Sequence, residues 1–168
     1  GKEPYLALRD IYSENYLGGA AAIANNLAEF CKKIQLVSMI GEKREYINFI
    51  KKKLNNKINK IFFSKKNSPT ILKKRFIDNI TKSKLFGIYS INDDNISQRE
   101  DQAISKYIDK IIKKFDIIII SDYGHGFLSD KTALKICLKK KFIALNAQVN
   151  ASNIGYHTLQ KYKNINAT

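Results

Sequence analysis

Asp116-Ile117-Ile118-Ile119-Ile120-Ser121-Asp122-Tyr123-Gly124-His125-Gly126 decides the fold. Four consecutive Ile residues between polar ends predict a short strand covered on both faces, as in the middle of a parallel sheet. The polar, glycine-containing loop that follows then sits beyond the C-terminal end of a central strand, where open α/β sheets bind ligands. Downstream, residues 129–139 predict a helix and Phe142 to Leu145 another short strand. Upstream, Ser97 and Glu100 form a capping-box pattern, and Ala103, Ile104, Tyr107, Ile108, Ile111 and Ile112 recur at helical spacing.

The N-terminal half repeats the alternation. Gly18-Gly19 opens an Ala-rich run to Cys31 with apolar residues at Ala20, Ile23, Ala24, Leu27, Ala28 and Cys31, which predicts a buried helix. Gln35 to Ile40 and Ile58 to Phe63 read as strands around a helical segment, Tyr46 to Leu54. Residues 70–77 and 84–91 read as a hairpin about a polar turn, and residues 4–12 alternate as an exposed strand. Strand and helix alternation predicts an α/β fold, a mostly parallel sheet with helices on both faces, with the hairpin and the N-terminal strand forming a flap outside it. The loops to watch follow Ile40, Ile120 and Leu145, the last being residues 146–150.

At 168 residues and 44% hydrophobic, the chain has material for one domain core, and no run approaches the roughly 18 apolar residues of a membrane span. The N-terminus is not patterned as a secretory signal, so a cytoplasmic location is expected. A net charge of +15 would ordinarily raise nucleic acid as a partner. However, 26 Lys against 4 Arg, beside 26 Ile and 16 Asn, fit AT-rich codon usage, and the Lys residues are scattered, so neither nucleic acid nor membrane is expected. Cys31 and Cys137, both on predicted helices, lack CxxC spacing and are expected to be free thiols, with no metal site.

Several residues can carry chemistry. Asp122 could accept hydrogen bonds from a hydroxylated ligand, or cap its own turn. Lys73 and Arg75 project from one face of a strand, where a guanidinium suits a phosphate or carboxylate and where charge also protects an edge. Gly18-Gly19 would let a ligand approach backbone N–H groups at a helix start. His125 reads as a tolerated loop residue more readily than a catalytic one, and His157 has less support still.

Tyr-Leu-Gly-Gly-Ala-Ala-Ala-Ile-Ala-Asn-Asn-Leu-Ala (16–28), Leu-Val-Ser-Met-Ile-Gly (36–41), Pro-Thr-Ile-Leu-Lys-Lys-Arg-Phe-Ile (69–77) and Ser-Asp-Tyr-Gly-His-Gly (121–126), in this order and spacing, resemble the ribokinase-like (PfkB) carbohydrate kinases, and most closely the branch that includes heptose-phosphate kinases. The resemblance implies one partial, Rossmann-like kinase domain over residues 1–168, with strands near 4–12 and 70–91 as a small β lid. It implies phosphorylation of a sugar or sugar-phosphate hydroxyl with ATP and Mg2+, and a homodimer paired through the lid. Carried over by position, Gly18, Gly19, Lys73, Arg75, Asp122 and Tyr123 border the sugar. Asn146 and Gln148 stand at the strand end on the nucleotide or substrate side.

Ala22, Ser38, Lys43 and His125 depart from the usual residues of that branch. The family's Asn-x-x-Glu metal-linked segment and its Gly-Ala-Gly-Asp motif, which supplies the anion hole and catalytic base, are expected beyond Thr168, and its first strand before Gly1. The chain is therefore expected to supply the sugar side of a kinase and to be inactive alone. The alternative is a noncatalytic, kinase-like binding domain.

Overall fold

The computed structural model describes residue 4, residues 7–148 and residues 159–168. Helix α1 (Gly19–Leu27) leads into strand β1 (Ile34–Gly41), helix α2 (Ile47–Lys53) and strand β2 (Ile58–Lys65). The hairpin is β3 (Leu72–Ile77) and β4 (Lys84–Ser90). Helix α3 (Gln98–Ile112), strand β5 (Ile117–Asp122), helix α4 (Asp130–Cys137) and strand β6 (Phe142–Ala147) follow, with a 3-10 turn at Leu159–Lys161.

Two of the three strand pairs are parallel, as the α/β reading requires. β1 runs beside β2, with Ile34 opposite Ile58, and β5 runs beside β6, with Ile117 opposite Phe142. Each pair carries a helix between its strands, the βαβ arrangement that parallel pairing demands. Two apolar clusters result. Ala24 and Ala28 of α1 pack with Leu36, Leu54 and Ile58, while Ile112, Ile120, Ala133, Ile136, Cys137, Ile143, Leu145 and Tyr162 pack together in the other half. The edge-to-face rings of Phe63 and Tyr107 join β2 to α3.

The capping box forms as the sequence predicts. Ser97 Oγ accepts from the Glu100 N–H, and the Ser97 N–H donates to Glu100 Oε2 at 2.7 Å. Asp101, one turn into α3, accepts from Ser129 Oγ and Thr132 Oγ1, each at 2.7 Å, and so fixes the start of α4.

Three expectations are corrected. The four-Ile strand is covered on one face: Ile120 is buried, but Ile117 and Ile119 are 57% and 42% exposed, because among the described residues β5 pairs with β6 and packs on α3 and α4 from one side. Residues 7–12 form no strand; every one of them is exposed, and alternation makes a strand only where a neighbour offers its hydrogen-bonding edge. Helix α1 ends at Leu27, leaving Cys31 exposed outside it, since Phe30 and Cys31 find no core to bury beyond Ala28. Both cysteines are free, Cys137 at the buried end of α4. Among the described residues no helix is long and apolar enough to cross a membrane.

Candidate functional site

The loop after β5 is fixed by its first carboxylate. Asp122 is 5% exposed, and its Oδ1 accepts from the Gly124 N–H at 3.0 Å. Its Oδ2 accepts from Tyr162 Oη at 2.5 Å and pairs with Lys161 Nζ at 2.7 Å. Burial alone would push this carboxyl up, yet Lys161, Tyr162 and the Gly124 N–H together hold it below the ordinary carboxylate range. Burial and then Asp122 push the Tyr162 phenol far up, so it remains a donor. Both carboxylate oxygens are thus engaged with the fold, Oδ1 in a cap of the turn at Gly124 and Oδ2 with Lys161 and Tyr162.

Tyr123 brings two motifs together. Gly19 lies in the left-handed region at φ +52°, and a Cβ there would stand 3.3 Å from the Tyr123 ring. The diglycine at the head of α1 and the loop after β5 are therefore in contact. Gly18, in extended conformation, has open space around its α-carbon.

The hairpin reaches the same loop. Lys73 Nζ lies 3.4 Å from His125 Nε2, and His125 Nδ1 lies 2.7 Å from Asp93 Oδ1. Since an ammonium can only donate, Nε2 accepts from Lys73, and Nδ1 carries the proton donated to Asp93. Arg75, two residues along β3, is exposed and makes no hydrogen bond or ion pair among the described residues. Across the hairpin Lys73 faces Tyr89, whose ring lies 5.8 Å from Nζ, and Arg75 faces Gly87.

Lys65, at the end of β2, holds the neighbouring chain segments. Its buried Nζ donates to the carbonyls of Asn92 at 2.7 Å, Asp94 at 2.5 Å and His125 at 3.4 Å. Burial draws this ammonium's pKa down, and the charges of Asp94, Asp93 and Glu100 oppose that. Gly126 completes the contact at φ +77°, where a Cβ would come within 2.2 Å of the Asp94 carbonyl oxygen. At the far side, Ser121 lies opposite Asn146 in the β5–β6 register, and the Gln148 N–H reaches the Asp122 carbonyl at 3.4 Å. Asn146 and Gln148 are exposed there. Val149, Asn150 and His157 lie outside the described residues.

Gly19, Lys73, Tyr123 and His125 are thus gathered at the ends of β2 and β5, with Arg75 on the same hairpin face as Lys73. The sequence reading passed over Lys65, Asp93, Lys161 and Tyr162. One Lys among 26 carries no signal, while the acidic pair Asp93-Asp94 between a hairpin and a capped helix could have been noticed.

The fold is a ribokinase-like α/β one. The structure of a protein described as "Possible 1-phosphofructokinase" from Thermotoga maritima superposes with a TM-score of 0.65 at 13% identity, covering 85% of this chain and 48% of that one. In sequence, the chain is 31% identical over 121 residues to the Bifunctional protein HldE of Aliarcobacter butzleri, and 28% identical over 116 residues to that of a Nitratiruptor species. These alignments cover 68% and 69% of this chain but 24% of each relative, so the chain spans about a quarter of the length of the curated relatives it matches. No family model matches. The resemblance carried by the four motifs, to the ribokinase-like (PfkB) carbohydrate kinases on their heptose-phosphate kinase branch, holds.

Proposed function

We propose that this chain is the sugar-side part of an ATP-dependent carbohydrate kinase whose acceptor is a sugar phosphate. The supporting observation is the approach of Lys73, on the hairpin, to the loop after β5, whose Tyr123 also touches Gly19. In this reading Gly18, Gly19 and Tyr123 border the sugar, and Lys73 and Arg75 bind its anionic group. Asp122 positions the loop from beneath. Asn146 and Gln148, polar and exposed at the end of β6, fit hydrogen bonding on the nucleotide side. The hairpin serves as the lid, and its exposed strand β4 is where a second copy would pair in a homodimer.

Phosphoryl transfer to a hydroxyl needs a base for the proton and positive or N–H groups around the transferring phosphoryl. ATP and Mg2+ would supply the phosphoryl group and its charge neutralisation. Among the described residues no three His, Cys, Asp or Glu side chains gather as a metal site, and no cation contact is assigned to Gly18, Gly19, Tyr123, Lys73 or Arg75. Their part is to bind and orient the acceptor.

Arg75→Ala tests the reading. A charge-assisted bidentate contact contributes about 1.5–3 kcal/mol, so affinity for a sugar phosphate should fall roughly ten- to hundredfold while the unphosphorylated sugar is little affected. Equal losses for both ligands would make Arg75 a structural residue.

A further inference from the structure

Lys73 and His125 face each other in a way that a solvated lid edge does not require. The ammonium donates to an imidazole nitrogen, and the opposite ring nitrogen is held by Asp93. His125 keeps 10% of its side chain exposed and Asp93 28%, so the pair is shielded but not sealed from solvent. Protonating Nε2 without an anion beside it would set two cations about 3.4 Å apart, a repulsion that Asp93 offsets in part. An incoming dianion reverses this balance, because it accepts from both Lys73 Nζ and a newly protonated Nε2. The charged groups near the ring are of both signs. Asp93 and Asp94 lie on the crossover, Lys73, Arg75 and the Tyr89 phenol on the hairpin, and Lys65, itself engaged with carbonyls, at the end of β2.

We propose that His125 and Lys73 form a proton-linked clamp for the phosphoryl group of the sugar acceptor, in which binding takes one proton from solvent onto His125 Nε2. This rests on the sugar-phosphate reading above and adds to it the residue that makes acceptor affinity depend on pH. In the absence of anion the Lys73–His125 hydrogen bond closes the hairpin on the loop. When the anion arrives, the imidazolium and ammonium hold it jointly, while Asp93 keeps the ring oriented through Nδ1.

Sulfate is a suitable probe, because it remains dianionic across the histidine range and any pH dependence then belongs to the protein. Calorimetric titration of the chain with sulfate should show affinity rising as pH falls from about 8 to 6, by up to about tenfold per unit, the limit for uptake of one proton. Buffers of different ionisation enthalpy should report that uptake directly. His125→Asn should bind weakly with a flat profile. His125→Lys, a permanent cation, should bind with a flat profile and at pH 8 more tightly than the native chain. Bound sulfate should be displaced by fructose 6-phosphate and not by ATP. Binding that needs Lys73 and Arg75 but does not vary with pH overturns the clamp and leaves the sugar-phosphate reading standing. Displacement by ATP overturns the assignment to the acceptor, and no sulfate binding at any pH overturns both. Circular dichroism of each variant identifies a folding defect, and in that event native binding with no buffer-dependent proton uptake still refutes the clamp.

Discussion

Replacing Asp122 by Asn separates a residue that builds the loop from one that touches sugar. Asn is nearly the same size and can still accept from the Gly124 N–H, but it leaves Lys161 without its counter-charge. Removing one partner of a buried pair costs about 3–5 kcal/mol; Lys161 keeps 14% of its side chain exposed and also donates to the Leu128 carbonyl at 3.0 Å, which lowers the cost to just below that range, about 2–3 kcal/mol. For a domain of this length each kcal/mol lowers Tm by about 2–4 °C, giving a fall of roughly 4–12 °C in a thermal melt. The pH dependence supplies a second signature. Because the folded carboxyl titrates below its ordinary range, its stabilisation is present above an unfolded value of about 3.9 and is lost as pH falls through the lower folded value. The gap between native and variant Tm should therefore be constant near neutral pH and close on the acid side. An Asp122→Asn protein that melts like the native chain but binds sugar phosphate poorly would refute this reasoning and restore the direct sugar contact.

Gly126→Ala should destabilise the chain by at least about 1–2 kcal/mol, since an L side chain is strained at φ +77° and its Cβ would collide with the Asp94 carbonyl; urea unfolding would read the shift, and an unchanged midpoint would refute the packing of loop on crossover. A coupled ADP-release assay on the 168 residues alone, with heptose, fructose and ribose phosphates, should show no turnover above a no-enzyme control, because no Gly-Ala-Gly-Asp base segment occurs in them. Clear turnover would mean that a base lies within this chain.

Local patterns told the elements well where one residue's chemistry sets the structure. Ser97 with Glu100 fixed the start of α3, and the polar turn between β3 and β4 marked the hairpin. The diglycine and the Ser-Asp-Tyr-Gly loop were visible as motifs, but their meeting through Gly19 and Tyr123 was not, since it depends on how α1 and β5 are placed in space. The Ile run misled because hydrophobicity reports that a segment can be covered on both sides, not that both covers are present; Ile117 and Ile119 face outward. Asp122 was ambiguous for a related reason. A carboxylate at a strand end reads the same whether it meets a ligand or meets Lys161 and Tyr162, which lie 39 and 40 residues later in the chain.

The three carbonyls gathered on Lys65 determine where the hairpin can pivot. Its returning stem is clamped at Asn92 and Asp94 to the end of β2 and to the loop carrying His125. Its outgoing stem is clamped as well, because the Gly41 N–H donates to Thr70 Oγ1 at 3.0 Å and the Glu42 N–H to the Ser68 carbonyl at 3.0 Å. A rigid lever remains between two short fulcra, Ile71 on one side and Ile91 on the other. Swinging it would carry Lys73, Arg75 and Tyr89 as one unit and would break the hydrogen bond from Lys73 to His125, while the floor formed by residues 92–95 and 121–126 stays still.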